Sequence, residues 1–393
     1  MNKFFERVHN KIVIPISKRI YKHKKIERNK IVIDNFGGRG FGDNPKYIVE
    51  ALLQKDRENL DIVWLVNDTK LEMPKGVRKV KYNSVASIKE LSTAKIWIDN
   101  IKNATKPLKK KNQYYIQTWH GGIGLKAVER QVEDQLNSKY VKKAKKDAAQ
   151  TDLMLSDSTW TTEIFKKWFW YDGIIKKTGF PRNDILVKNN ESLRDKIYLY
   201  FNIDKQNKII LYAPTFRQSA DFNTCKVDFK KILDAVNRKF AGEYVVLIRL
   251  HPNTFQQLSK ENKKLYDFNK QIINASIYPD MQELLAVSDI LITDYSSCMF
   301  DGMIGKKKVF LLMKDFHEYI AQERRLLFNI EKLPFKTAFS DNDLVNVINH
   351  FDNDAYFTDL NNFQNELDVY EMGTAGDKVA DIVIKKIKEV NLE

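Results

Sequence analysis

Five short polar strings in this chain each stand at or just beyond the end of an apolar run. They are Trp119-His120, Ser156-Asp157-Ser158, Thr215-Phe216-Arg217, His251-Pro252 and Asp294-Tyr295-Ser296-Ser297. Ligands of open parallel sheets bind beyond the carboxyl ends of the strands, so strings placed in this way aim imidazoles, hydroxyls and a guanidinium at a crevice. His120 lies between an aromatic residue and Gly121-Gly122, where the backbone can approach a ligand closely. An imidazole with an ordinary pKa of about 6.5 suits the removal of a proton from an attacking hydroxyl. Arg217 has the planar fork that matches phosphate oxygens, and His251 can donate to them. Ser296 and Ser297 follow Asp294 just before a helix expected near Cys298, and hydroxyls and N–H groups there favour an anion. Each string taken alone also fits a loop cap or a backbone-bonded residue at a strand end. Five of them together point to a ligand.

The residues that are missing narrow the chemistry. No Asp-x-Asp pair stands at a strand end, and no histidine–carboxylate cluster has metal-ligand spacing. The expectation is therefore a transfer without metal or other cofactor, with any pyrophosphate neutralised by cationic side chains and helix termini. The turn Gly37 to Gly42 reads G-G-x-G-x-G, which is neither the dinucleotide fingerprint nor a Walker loop. It reads as a tight turn lining the acceptor side. The two cysteines, Cys225 and Cys298, are far apart and suggest neither a disulfide framework nor a zinc site, which fits a reducing compartment.

The elements that must position these groups alternate strand and helix. Apolar runs at 31–34, 61–66, 77–82, 94–98 and 114–118, with a short one at 153–155, read as strands of one parallel sheet. The rhythm restarts with runs at 208–212, 245–250, 290–293 and 309–312, and a polar helix separates the two halves. The expected fold is α/β with two doubly wound, Rossmann-like lobes and a cleft between them. The expected segments are a basic stretch 1–30, an acceptor-side lobe 31–190, a nucleotide-donor lobe 191–370 and a C-terminal helix 371–393.

Charge points to an anionic partner. The 393 residues carry a formal net charge of +15, and residues 1–30 contribute ten Lys/Arg against two acids. Phe4, Phe5, Val8, Ile12, Ile14, Ile16, Ile20 and Tyr21 are interspersed there. That pattern fits a segment lying on an anionic membrane surface, and equally a solvated basic arm; Pro15 is expected to interrupt any single helix. No apolar run reaches the roughly 18–20 residues needed to cross a bilayer. The start of the sequence lacks the pattern of a signal peptide, so a cytoplasmic location at the inner face of the membrane is expected. A nucleic-acid-binding module is disfavoured, because the basic excess gathers at one end and no nucleic-acid-binding motif is present.

The motifs resemble those of the CDP-glycerol glycerophosphotransferase family, the teichoic-acid primases and polymerases. The resemblance rests on Gln117-Thr118-Trp119-His120-Gly121, Gly179-Phe180-Pro181-Arg182-Asn183-Asp184, Leu211-Tyr212-Ala213-Pro214-Thr215-Phe216-Arg217 and Arg249-Leu250-His251-Pro252. Ile292-Thr293-Asp294-Tyr295-Ser296-Ser297 with Met299-Phe300-Asp301 completes an ordered series over roughly residues 30 to 340. The resemblance implies a GT-B arrangement, with His120 as general base and Arg217, His251, Ser296 and Ser297 on the donor phosphates, beside Asp294. Trp119, Gly121, Ser156, Ser158, Arg182, Asp184 and Asp301 then stand as acceptor-side or supporting residues. The implied donor is CDP-glycerol or CDP-ribitol, the acceptor a lipid-linked or polymeric cell-surface molecule, and CMP leaves. One departure is visible: many members continue Trp-His-Gly with Thr-Pro, whereas this chain reads Gly122-Ile123-Gly124, in a loop expected to shape the acceptor or polyol pocket. The competing reading is a GT-B glycosyltransferase that uses a nucleotide sugar for surface polysaccharide.

Overall fold

The computed structural model describes residues 8–103, 106–188, 190–217, 226–261, 265–322 and 325–389. Met1 to Arg7, at the start of the basic stretch, and Cys225 lie outside the described residues. Two parallel sheets carry the fold. The first comprises β1 (Glu27–Asp34), β2 (Asp61–Val66), β3 (Val77–Lys81), β4 (Ala94–Asp99), β5 (Tyr114–Gln117), β6 (Leu153–Ser156) and β7 (Ile174–Lys177) in the order 3-2-1-4-5-6-7. The second comprises β8 (Lys208–Tyr212), β9 (Tyr244–Ile248), β10 (Ile272–Asn274), β11 (Ile290–Thr293), β12 (Lys308–Leu312) and β13 (Lys336–Ala338) in the order 10-9-8-11-12-13. Strand order reverses between β1 and β4 in one sheet and between β8 and β11 in the other. Ligands of doubly wound sheets bind at such switch points.

Central strands are covered on both faces, which is why they read as unbroken apolar runs. Ile31, Ile33, Trp64, Ile96 and Ile98 are essentially inaccessible to solvent, each contributing about 1.5–3 kcal/mol through burial. β7, β10 and β13 are edge strands of three or four residues with mixed exposure. They lack that signature, and the sequence pattern does not reveal them. β1 starts at Glu27, four residues before its apolar run, because Lys30 is buried against Glu27 and Glu90, both at 2.8 Å.

The chain divides into two compact units. One comprises residues 1–122, 128–184 and 370–393, and the other residues 123–127 and 185–369. The division thus falls at Asp184 rather than at residue 190. The C-terminal helix Ala375–Lys388 belongs to the first unit, where it packs on helix Asp43–Asp56.

Pro15 does not interrupt the N-terminal helix. A π-helical turn at His9–Val13 runs directly into helix Ile14–Tyr21, with Pro15 in the first turn of the latter. The proline needs no donor there, and the wider π turn relieves its ring of the usual clash with the preceding turn.

Candidate active site

In the first unit, β5 delivers Thr118-Trp119-His120 past its carboxyl end. Trp119 holds a left-handed backbone, φ 55°, which strains a non-glycine residue by about 1–3 kcal/mol. Three bonds maintain it: the Gln117 side-chain oxygen accepts from Trp119 N (2.9 Å), and the Asn44 amide (3.0 Å) and Thr118 hydroxyl (2.8 Å) donate to its carbonyl. The indole packs edge-on to Phe169 and lies 4.1 Å, between ring centroids, from His120.

His120 Nδ1 lies 2.8 Å from the backbone oxygen of Asn100, just past the end of β4 at the switch point. A carbonyl can only accept, so Nδ1 carries the proton and Nε2 keeps its lone pair. Burial pushes the imidazole below its ordinary pKa, and the Arg182 guanidinium pushes the same way, against the Asn100 carbonyl, Asp43 and Glu129. A neutral ring with an open Nε2 is the form a general base requires at neutral pH.

Arg182 is buried, and its Nη1 donates to the His120 carbonyl (2.9 Å) and to Asp43 Oδ2 (3.1 Å). Gly121 lies against it, and a Cβ there would meet Arg182 Nη2 at 3.6 Å, an ordinary contact. Ser156 and Ser158 are inaccessible to solvent. Ser156 pairs with the Thr162 hydroxyl at 2.8 Å, and Ser158 caps helix Thr159–Trp168 through Thr161 N. Both are supports. Asp184 is also buried and accepts from Ala375 N (2.9 Å) and Gly376 N (2.8 Å), fastening the start of the C-terminal helix.

Sequence reasoning missed the layer beneath His120. Asp34 ends β1 and Asp99 ends β4, and with Asp147 they enclose Lys106, whose ammonium lies 3.0 Å from both Asp99 and Asp147. Burial pushes Asp99 up to about 6. Tyr115 and Gln117 join this group, and Gln117 passes it on to Trp119. An acid ending each of two buried strands was the available signal. Asp43, Asn44 and Asn100 were missed as well, the first two because they close a glycine-rich turn that fits no phosphate-loop pattern.

In the second unit, Arg217 and Asp294 meet at the β8/β11 switch point, and both are buried. The Arg217 guanidinium donates to Asp294 Oδ2 (2.7 Å), to both oxygens of Asp315 (2.7 and 3.1 Å) and to the Thr215 carbonyl (2.9 Å). It also lies 5.0 Å from the ring centres of Tyr295 and Tyr319, which stack on each other. Asp294 Oδ1 accepts from Thr215 N, the Thr215 hydroxyl and Tyr295 N. This pair ties together the loops that carry Thr215 and Ser296.

Ser297 is exposed at the start of helix Cys298–Ile304, and its hydroxyl makes no capping bond. The Ser296 hydroxyl accepts a long bond, 3.4 Å, from Cys298 N and also meets the Cys298 thiol. Asp301 is buried within the same helix, and burial pushes the Cys298 thiol up to about 11. His251 is exposed and caps helix Pro252–Lys260, its Nδ1 accepting from Asn253 N at 3.2 Å. An accepting Nδ1 places the proton of a neutral ring on Nε2.

The profile of the CDP-glycerol:poly(glycerophosphate) glycerophosphotransferase family matches residues 16–385. The chain belongs to that family. It is 32% identical over 382 residues to a teichoic acid poly(glycerol phosphate) polymerase of Staphylococcus epidermidis, covering 94% of this chain and 52% of that protein. A polymerase of the same description from Bacillus spizizenii is 28% identical, with 89% and 91% covered. This chain thus spans about half the length of the first relative and most of the second. Structures of the wall teichoic acid polymerase TagF superpose with a TM-score of 0.85 at 30% identity, over 99% of this chain and 96% of that one. One TagF variant was soaked with CDPG.

Within the family frame, the departure after Trp-His-Gly has a local cause. A Cβ at Gly122 would lie 2.0 Å from the Asp157 carboxylate, so no side chain fits there while Asp157 keeps its place. Rather than forming an isolated loop, the residues that follow join the second unit. Ile123 and Leu125 are buried, Ala127 N donates to the Arg325 carbonyl (2.8 Å) and Leu327 N to the Leu125 carbonyl (2.8 Å).

Proposed function

We propose that this chain transfers glycerol phosphate, or a related polyol phosphate, from its CDP derivative to a hydroxyl of a membrane-held teichoic-acid or capsular acceptor. The acceptor oxygen forms a bond to the phosphorus bearing the polyol, the pyrophosphate P–O bond on the CMP side breaks, and CMP leaves. The acceptor proton passes to His120 Nε2. The observation that carries this reading is the His120 ring, held through Nδ1 at a strand end so that Nε2 is basic. His251 Nε2–H, Ser296 and Ser297 bind the donor phosphates, and Arg217 with Asp294 braces the loops that present them. CMP release by purified protein offered CDP-glycerol or CDP-ribitol with a lipid-linked primer tests the proposal. Acceptor-dependent release with one donor supports it. Silence with both, together with UDP release from a UDP-sugar, transfers the assignment to a glycosyltransferase.

We propose further that the protein works at the inner face of the cell membrane, resting on anionic lipid. No helix among the described residues is long and apolar enough to cross a membrane. Ile12, Ile16 and Ile20 are about half exposed or more and share one side of the N-terminal helix at four-residue spacing. Lys11, Arg19 and Lys22 are exposed on the same segment. Lys18 lies close enough to Lys146 that, after burial, their repulsion lowers its pKa. Helix Ser138–Ala148, which carries Lys146, exposes Lys139, Lys142, Lys143 and Lys145 as well, so the basic surface extends beyond the N-terminal segment. Co-sedimentation with phosphatidylglycerol vesicles, lost with phosphatidylcholine alone and weakened by salt and by Ile16→Ser with Ile20→Ser, is the expected result. Equal sedimentation with neutral vesicles would remove the anionic-surface reading.

A further inference from the structure

Four segments of the first unit close a ring of hydrogen bonds around His120. Its imidazole rests on the Asn100 carbonyl, and the Asn100 side-chain amide donates to Asp43 Oδ1 at 3.1 Å. Asp43 Oδ2 accepts from Arg182 at 3.1 Å, and the same Arg182 nitrogen donates to the His120 carbonyl at 2.9 Å. Phe36 N and Asn35 hold the other faces of the Asn100 amide at 2.8 Å each. Asn100 is therefore fixed in both its backbone and its side chain.

Asp43 is the one member of this ring whose backbone is strained, with φ 53°. It sits next to Gly42 and three residues from Gly40, in a turn built largely of glycine. Glycine would occupy φ 53° without strain; the Asp43 side chain offsets part of that strain locally, its Oδ1 accepting from Asn44 N at 2.8 Å at the start of the helix. What Asp43 adds is a carboxylate that joins Asn100 to Arg182. We propose that Asp43 is a positioning residue of the transfer reaction, holding the His120 ring through Asn100 on one side and Arg182 on the other, in its Nδ1–H form and in a single orientation. This rests on the reading of His120 as the base.

The charged groups that face His120 are Asp43 at the start of helix Asp43–Asp56, Arg182 on the turn Pro181–Asn183, and Glu129, which is itself paired with Lys102 at 2.9 Å. The Phe36 and Trp119 rings cover the imidazole without charge. Asp43 favours the protonated ring and Arg182 opposes it. Removing them must therefore move the His120 titration in opposite directions, which a merely structural role does not require.

The test uses the full chain with histidine labelled with nitrogen-15 in the ring, His120→Ala assigning the signal. Long-range proton–nitrogen spectra distinguish the Nδ1–H ring from the Nε2–H ring. Wild type is expected to show His120 as Nδ1–H. Asp43→Asn is expected to mix the two forms and lower the titration midpoint, with kcat falling about tenfold and donor KM within about twofold. Arg182→Gln is expected to raise the midpoint. Unchanged ring form and midpoint in both variants, or shifts in the same direction, would overturn the proposal whatever happens to kcat. If Asp43→Asn does not fold, Arg182→Gln decides: an upward shift supports the proposal and no shift overturns it. The transferase reading is judged separately, by CMP release from the wild type, and its failure leaves the spectra just as decisive about the ring.

Discussion

The two units hold a histidine by the same ring atom in opposite senses. In the first, Nδ1 of His120 gives its proton to a backbone carbonyl, which leaves Nε2 as a base. In the second, Nδ1 of His251 takes a backbone N–H, which leaves Nε2 as a donor. The carbonyl comes from a strand-end loop beneath the ring, the N–H from the helix that His251 itself caps. A reaction that removes a proton from an acceptor and steadies a leaving phosphate needs one of each. The local backbone, not the residue type, therefore sets which neutral form each ring takes, and the proposed transfer uses one form as base and the other as donor.

The largest expected effect breaks the first half of that comparison. His120→Ala should lower kcat on the order of a hundredfold or more, with donor KM little changed and the melting temperature near wild type. In the wild type kcat/KM should be flat at neutral pH and fall as pH drops, because protonation of Nε2 removes the base. Burial has moved that ring below its ordinary value, so the acid limb should lie below about pH 6.5. His120→Ala should abolish that limb, and a limb that survives the substitution would assign the base elsewhere.

The second-unit cation separates bracing from chemistry. Arg217 is buried with two carboxylates on its guanidinium. Arg217→Ala leaves the buried Asp294 and the partly buried Asp315 without their shared cation, at a cost of about 3 kcal/mol in stability. Thermal or urea unfolding should show that loss, with donor binding weakened as the loops of Thr215 and Ser296 loosen. A variant as stable as wild type that binds donor poorly would instead make Arg217 a direct phosphate ligand. His251→Ala should raise donor KM about tenfold, the scale of one hydrogen bond to a charged group, and cost about 1 kcal/mol in stability through the lost cap on helix Pro252–Lys260. An equal loss in kcat at unchanged KM would show that His251 acts only in the transition state.

Much of this arrangement was legible in the sequence, for a physical reason. Strands buried on both faces leave unbroken apolar runs, and the sites of a parallel sheet lie where those runs stop. His120, Arg217, His251 and the Asp294–Ser297 string do stand just past the ends of such strands. What stayed hidden depends on contacts far apart in sequence. Asn100 acts through its backbone oxygen, which no side-chain pattern reveals. Asp43 joins the site because Asn100 and Arg182, 57 and 139 positions away, both fold back onto it. Arg217 appeared as a cation in search of a phosphate, since nothing local shows that Asp294 and Asp315 surround it.

The smallest expected effects set serine against serine. Ser158 in the first unit caps its helix by accepting from Thr161 N at 2.9 Å, out of solvent. Ser158→Ala should cost about 1 kcal/mol in stability and leave donor KM alone. Ser297 in the second unit stands at an equivalent place ahead of helix Cys298–Ile304, yet its hydroxyl makes no capping bond and faces solvent. Ser297→Ala should therefore leave the melting temperature unchanged. If the hydroxyl binds a donor phosphate, the same variant should raise donor KM about fivefold, the scale of one net hydrogen bond of roughly 1 kcal/mol. The two serines then form a crossed pair, one variant changing stability alone and the other donor affinity alone. A Ser297→Ala protein with wild-type donor KM would break the cross and leave phosphate binding in the second unit to His251 and Ser296.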